Sequence, residues 1–261
     1  MSSVVGVGSG GHAKVVIDIL RNVGGWDIVA LLDSDKNLWK TLLMGIPIVG
    51  DDGLLPSILG QGTKYAFVGV GGSGDLTPRV ALFNKLIGYG FSAISAIHPS
   101  AIVAKSAELG SGVTVAANAV INPEAKIGSN VIVNTGSIIE HDCIIGDHCH
   151  ISTGSRVCGS VNVGIQSHIG AGATVRQGIT IGAGAIVGAG AVVVKDVPPE
   201  TADSEMAPLM LVGRMSVPPE LDSQFNEAYN SERLPAAYSV PGYIRGRRFE
   251  AVMGNPKYTT V

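Results

Sequence analysis

Aromatic residues are scarce: Trp, Tyr and Phe together make up 5% of the 261 residues. A core built on stacked rings is therefore not expected. Three cysteines, Cys143, Cys149 and Cys158, are an odd number and too few for a disulfide scaffold, so the reducing cytoplasm is the expected compartment. Long apolar runs are missing as well. The stretch Ala185–Val194 falls far short of the roughly 18 residues a membrane span needs, and no basic segment precedes the first apolar residues as in a secretory signal. Charge is nearly balanced, at −3. The one basic cluster, Arg245-Gly246-Arg247-Arg248, is too short to suggest nucleic acid. Neither a nucleic-acid nor a membrane partner is expected.

What is abundant is glycine, with 36 residues. Residues 1–92 open with "SVVGVGSGGHAKVVIDILRNVGG", which reads as strand, glycine turn and helix. Val4, Val5 and Val7 form the strand, and Lys14–Val23 has apolar residues at helical spacing. Further strands are predicted at Ile28–Leu32 and Tyr65–Val70, and a helix at Pro78–Tyr89 with Pro78 in its first turn. The alternation predicts a small Rossmann-like domain with three or four strands. Gly6, Gly8 and Gly11 match G-x-G-x-x-G, a turn that brings backbone N–H groups to a phosphate, and Asp33 follows at a strand end where an acid can accept from ribose hydroxyls. A sheet of that size provides one mononucleotide half, which argues against an NAD-dependent dehydrogenase. A ligand-free tight turn is the simpler alternative.

Residues 93–211 carry a strict six-residue repeat. From Ile97, every sixth residue to Val193 is a branched aliphatic, without a slip. The fourth residue after each is usually small, such as Ala119, Ser137, Cys143, Cys149 and Ala173. Neither a helix nor a simple strand has this period; a solenoid of short flat faces does, and about 18 residues make one triangular coil. Successive coils stack at roughly 4.8 Å. The aliphatics point inward, the small residues fit near the corners, and Cys143 and Cys149 are packing residues, not expected to pair.

The same register sorts the cluster "NTGSIIEHDCIIGDHCHIS" at 134–152. His141, Asp142, His148 and His150 fall on the outside of the coil. They span two faces and the cysteines point away from them, so no metal site is expected. Asp142 beside His141 can fix the imidazole tautomer of a general base. His148 reads as a solvated corner and His168 as a surface histidine without a role. Residues 212–261 break the repeat; a helix near 219–231 and an extended arm are predicted.

"GSGGHAKVVIDIL", "IHPSAIV", "NTGSIIEHDCIIGDHCHIS" and "IGAGAIVGAGAVVVKDV" together resemble the sugar O-acyltransferase family related to sialic acid O-acetyltransferase, over nearly all of residues 3–197. That family includes the N-acetyltransferases of nucleotide-linked amino sugars of the UDP-4-amino-sugar and GDP-perosamine type. The resemblance implies a left-handed parallel β-helix, a homotrimer, acetyl-CoA in the groove between neighbouring β-helices, and a nucleotide-linked amino sugar on the N-terminal domain. His141 matches the general base and Asp142 its acidic partner. His150 matches a contact to the acetyl end of the cofactor, Gly159 and Ala189 the cofactor groove, and Asn134 a position near the sugar. Gly8, Gly10, Gly11 and His12 match the nucleotide loop; Asp33, Asp35 and Lys36 resemble its acid-rich nucleoside turn, one residue looser than usual. After Val197 the chain departs from the family's closing turn. The expected reaction is N-acetylation by direct attack, with O-acetylation of a sugar hydroxyl such as that of sialic acid, or a non-catalytic trimeric scaffold, as the rivals.

Overall fold

In the computed structural model of the protein the described residues are 1–72 and 74–199, with short strands beyond at Leu209–Met210, Gly213–Met215, Arg248–Glu250 and Tyr258–Thr260. The apolar alternation at the N-terminus forms β1 (Ser2–Val7), followed by α1 (Gly11–Val23) and β2 (Trp26–Leu32). Next come β3 (Leu42–Leu43), β4 (Ile46–Gly50), α2 (Leu55–Gly60), β5 (Tyr65–Val68), α3 (Thr77–Tyr89) and β6 (Ser92–Ala93). They make a sheet of order β3-β4-β2-β1-β5-β6, parallel except for the β3–β4 pair.

Six strands replace the three or four expected. β3 and β6 are two residues each, too short to show a period, and β4 contains Pro47, which masks an otherwise alternating IPIVG. The sheet has a core on each side. Val4, Ile17, Leu20 and Leu31 fill one; Val5, Leu32, Leu55, Phe83 and Leu86 fill the other.

From Ala96 onward each hexad forms a two-residue strand and a turn. Pairing joins residues 18 apart: Ile121 to Ile139 to Val157 to Val175 on one face, Val133 to Ile151 to Ile169 to Val187 on a second, Ile127 to Ile145 to Val163 to Ile181 on the third. The predicted interior aliphatics from Val115 to Val193 are buried, as are Cys143 and Cys149. Each thiol donates to a carbonyl one coil on, Cys143 to Cys158 and Cys149 to Gly164.

From Leu109 onward, three residues after each interior aliphatic the backbone enters the left-handed region, at Gly112, Asn118, Glu124, Asn130, Gly136, Asp142, His148, Gly154 and so on to Gly190. These are the corners of the triangle. Gly, Asn and Asp tolerate that conformation, which explains where they recur.

The first domain lies against the second face, whose outward residues Thr114, Ile132, His150 and His168 are buried. Leu209–Met210 adds a strand to that face, and the strands at 213–215, 258–260 and 248–250 pair antiparallel, where an extended arm was expected. The helix expected near 219–231 lies outside the described residues. No helix among the described residues is long and apolar enough to cross a membrane.

Candidate active site

His141 and Asp142 occupy a corner of the coil, with Asp142 in the left-handed conformation at φ 59°. This corner turns both side chains out: they are 61% and 57% exposed, so the pair is open to a ligand. His141 Nδ1 lies 2.7 Å from Asp142 Oδ2. A carboxylate only accepts, so Nδ1 carries the proton and Nε2 presents a lone pair outward. The ring has space because Gly159, one coil on, has no side chain: a Cβ there would stand 2.7 Å from His141 Cε1 and 2.8 Å from Nε2. Gly159 thus shares the His141 site, while Ala189 is an exposed corner residue farther along the stack.

His150 is outside the coil but not solvated, because the first domain covers it. It is 9% exposed, its Nδ1 is 2.6 Å from the Gly72 carbonyl, and its Nε2 is 3.1 Å from Asn134 Nδ2. Nδ1 therefore donates and Nε2 accepts. Burial above all, then the neighbouring His168, lowers its pKa to about 4, so the ring is neutral at neutral pH. Two expectations are corrected here. His168 is not a surface residue: it is 9% exposed and stacks on His150 with centroids 4.9 Å apart and planes 5° from parallel. His148 is not a solvated corner: it is half-buried, edge-on to Phe83 of α3, with Nδ1 3.0 Å from Asn130 Nδ2. Both side chains point outward as the repeat dictates; the covering domain was invisible to a periodicity.

The same junction holds Arg79, which sequence reasoning missed. Its side chain is buried and donates to the carbonyls of Val68, Val70 and Asn130, tying the end of β5 to the coil. Desolvation lowers its pKa to about 9, so it stays charged at neutral pH. His12, in the first turn of α1, has a fully buried Nε2 without a hydrogen bond. Burial, then Arg79 and His150, lowers its pKa to about 3. Nothing in the run "LTPRVALF" marks Arg79 except a charge one residue into a buried helix face.

At the glycine turn Gly8 takes φ 96° with Val70 packed against it, whereas Gly10 and Gly11 face open space at the uncapped start of α1. Asp33 braces this turn. Its Oδ2 accepts from the Ser9 N–H at 2.8 Å and from the Ser9 hydroxyl, and its Oδ1 from the Asp35 N–H at 3.0 Å. Burial pushes Asp33 up, but the hydrogen bonds from Ser9, Asp35 and Ser34 outweigh it and hold the carboxyl below the ordinary value. Asp35 and Lys36 are exposed beside it, with Lys36 over the Trp39 ring. Among the described residues no cluster of His, Cys, Asp and Glu could hold a metal ion.

Residues 3–86 match the family described as PglD N-terminal domain, and residues 124–159 the bacterial transferase hexapeptide (six repeats). Among solved structures, a variant of perosamine N-acetyltransferase from Caulobacter crescentus in complex with CoA and GDP-perosamine is 44% identical, covering 77% of this chain and 92% of that one, with a TM-score of 0.72. The acetyltransferase domain of PglB from Neisseria gonorrhoeae FA1090 is 34% identical over 76% of this chain and 94% of that one, TM-score 0.70, and is also solved with acetyl coenzyme A. WeeI from Acinetobacter baumannii AYE is 26% identical over 76% and 94%, TM-score 0.66. No curated protein sequence matches the chain. The likeness gives the stacked coils their hand: they form a left-handed parallel β-helix.

Proposed function

Because the chain belongs to the hexapeptide acyltransferases with a PglD-type N-terminal domain, and so is an acetyl-CoA-dependent acyltransferase, we propose that it N-acetylates an amino sugar linked to a nucleotide, with His141 as general base. One observation carries the role of His141: its Nδ1 is engaged by Asp142 while its Nε2 lone pair points out of an open corner. The sugar amine attacks the thioester carbonyl, the C–N bond forms, and the C–S bond breaks to release CoA. His141 Nε2 takes the proton from the attacking nitrogen, and Asp142 supports the imidazolium. Backbone N–H donors steady the oxyanion; the one N–H of the neutral His150 ring is already given to the Gly72 carbonyl. No cysteine nucleophile is needed; burial holds Cys149 neutral, with its pKa pushed up to about 12.

Gly159 and Ala189 are read as part of the acetyl-CoA groove, His150 and Asn134 as its acetyl and sugar end. Gly8, Gly10, Gly11 and His12 are read as the phosphate turn, with Asp35 and Lys36 toward the nucleoside and Asp33 holding the turn in shape. A homotrimer would complete the groove. Ile102, Ile144 and Val192 stand 64%, 51% and 48% exposed on the two faces the first domain leaves bare, which suits subunit contact.

The test is turnover of acetyl-CoA with UDP-, GDP- and dTDP-linked 4-amino sugars, with sialic acid as the hydroxyl control. His141→Ala is expected to fold and to lose roughly 10²–10⁴-fold in kcat, the usual scale for a general base. Near-normal turnover in that variant would remove His141 from the mechanism. Light scattering checks the trimer, and a stable monomer contradicts a groove built between subunits.

A further inference from the structure

His168 stands directly above His150 in the ladder, on the face that the first domain covers. The two rings form a stacked pair, and each is held by a backbone group of the loop after β5. His168 Nδ1 accepts the Gly74 N–H at 2.8 Å, so its proton sits on Nε2, which lies 2.7 Å from Ser152 Oγ. His150 is protonated the other way round. Its Nδ1–H donates to the Gly72 carbonyl, and its bare Nε2 accepts from Asn134 Nδ2. The Asn134 amide is fixed in turn, because its Oδ1 accepts the Thr135 N–H at 2.8 Å.

The chain of dependence runs in one direction. If Gly74 lost its acceptor, a half-buried N–H would be left without its partner and the loop would shift to satisfy it. The Gly72 carbonyl would move with it, and His150 would lose the acceptor that fixes its tautomer. A proton on His150 Nε2 would then face the Asn134 NH2, donor against donor.

We propose that His168 is a positioning residue: by accepting the Gly74 N–H and bearing flat on His150, it locks the loop after β5 onto the β-helix and holds His150 and Asn134 in one donor–acceptor pattern. The consequence for catalysis rests on the reading of His150 and Asn134 as the acetyl and sugar end of the site; the lock itself does not. His168 touches neither reactant in this scheme.

The variants separate the acceptor from the ring. His168→Phe keeps a flat ring against His150 but removes the acceptor; His168→Asn puts an oxygen near the place of Nδ1 and removes the ring. In His168→Phe, KM for the nucleotide amino sugar is expected to rise about tenfold or more, and KM for acetyl-CoA to rise with it because His150 stands at the acetyl end, since small displacements of positioned groups have effects of this size. His168→Asn is expected to recover most of that loss. Imidazole 15N shifts in the full-length protein report the tautomer of His150 directly. Wild type is expected to show Nδ1–H alone, and His168→Phe a mixture.

A folded His168→Phe variant with wild-type KM and His150 still wholly Nδ1–H would overturn the proposal. Equal damage from Phe and Asn would overturn it too, since that points to packing alone. Should His168→Phe fail to fold, His168→Gln takes its place. Its amide falls near the position of Nε2 and not of Nδ1, so the Gly74 N–H loses its acceptor, and an unchanged His150 tautomer there counts against the lock. If wild type acetylates no nucleotide amino sugar, the functional reading fails while the 15N measurement still decides the lock.

Discussion

A single missing Cβ sets the geometry of the proposed base. Gly159 has an open conformation that alanine can adopt, but its Cβ would stand 2.7 Å from the His141 ring, within van der Waals overlap. The ring is exposed, so it can swing away, and the chain need not unfold. Gly159→Ala is therefore expected to keep its melting temperature and to lose roughly 10–100-fold in kcat, the usual cost of misplacing a catalytic group by about 1 Å. A variant with unchanged kcat would show that the ring has room the structure does not display. The residue scale also separates two adjacent histidine types. His141 keeps one nitrogen free, whereas both nitrogens of His150 and of His168 are engaged. A general base needs the first arrangement, and a fixed contact the second.

At the scale of the element, each hexad is a strand, a corner and a small residue, and its energy sits mostly in the inward aliphatic. Ile145 is 1% exposed, its neighbour Ile144 51%. Ile145→Ala is expected to cost about 2–5 kcal/mol and Ile145→Val about 0.5–1.5, measured by denaturant unfolding. A cost for Ile145→Ala below that of Ile145→Val would mean that the coil closes around the cavity. The inward set was fully legible in the sequence because every coil repeats the same environment. The corner was legible only in part. Gly and Asn recur three residues after many of the aliphatics, yet Glu124, Ser160 and Gln166 take the same left-handed conformation without a favourable side chain. There the stack imposes the turn on the residue. The short strands β3 and β6 were not legible, since two residues carry no period and their pairing comes from the sheet around them. His141 and Asp142 could be placed outside the coil from the register alone. That His150 and His168 lie under another domain could not, because a repeat says which way a side chain points and nothing about what lands on it.

The whole molecule depends on that covered face, and its acid sensitivity follows. His12 and His150 have pKa values lowered to about 3 and about 4, chiefly by burial, and burial lowers His168 and His148 as well. Arg79 lowers His12, His150 and His148 further, and Asp147 raises His148 against the burial. An unfolded chain binds a proton at His12 and at His150 near pH 6.5, whereas the folded chain refuses it until about pH 3 and about pH 4. Between those limits the unfolded state binds more protons, so stability falls as pH falls. The slope is roughly 1 kcal/mol per pH unit for each such group. Carboxylates begin to contribute below about pH 5, so the clean window is about pH 5 to 7. Thermal unfolding should shift downward across that window. His150→Asn should flatten the slope by about one proton's worth even if it lowers stability at pH 7. Equal slopes in wild type and the His150 variant would mean that the junction admits water or opens before the chain unfolds. In that case the two domains are joined less firmly than the contacts of Arg79, His150 and His168 imply.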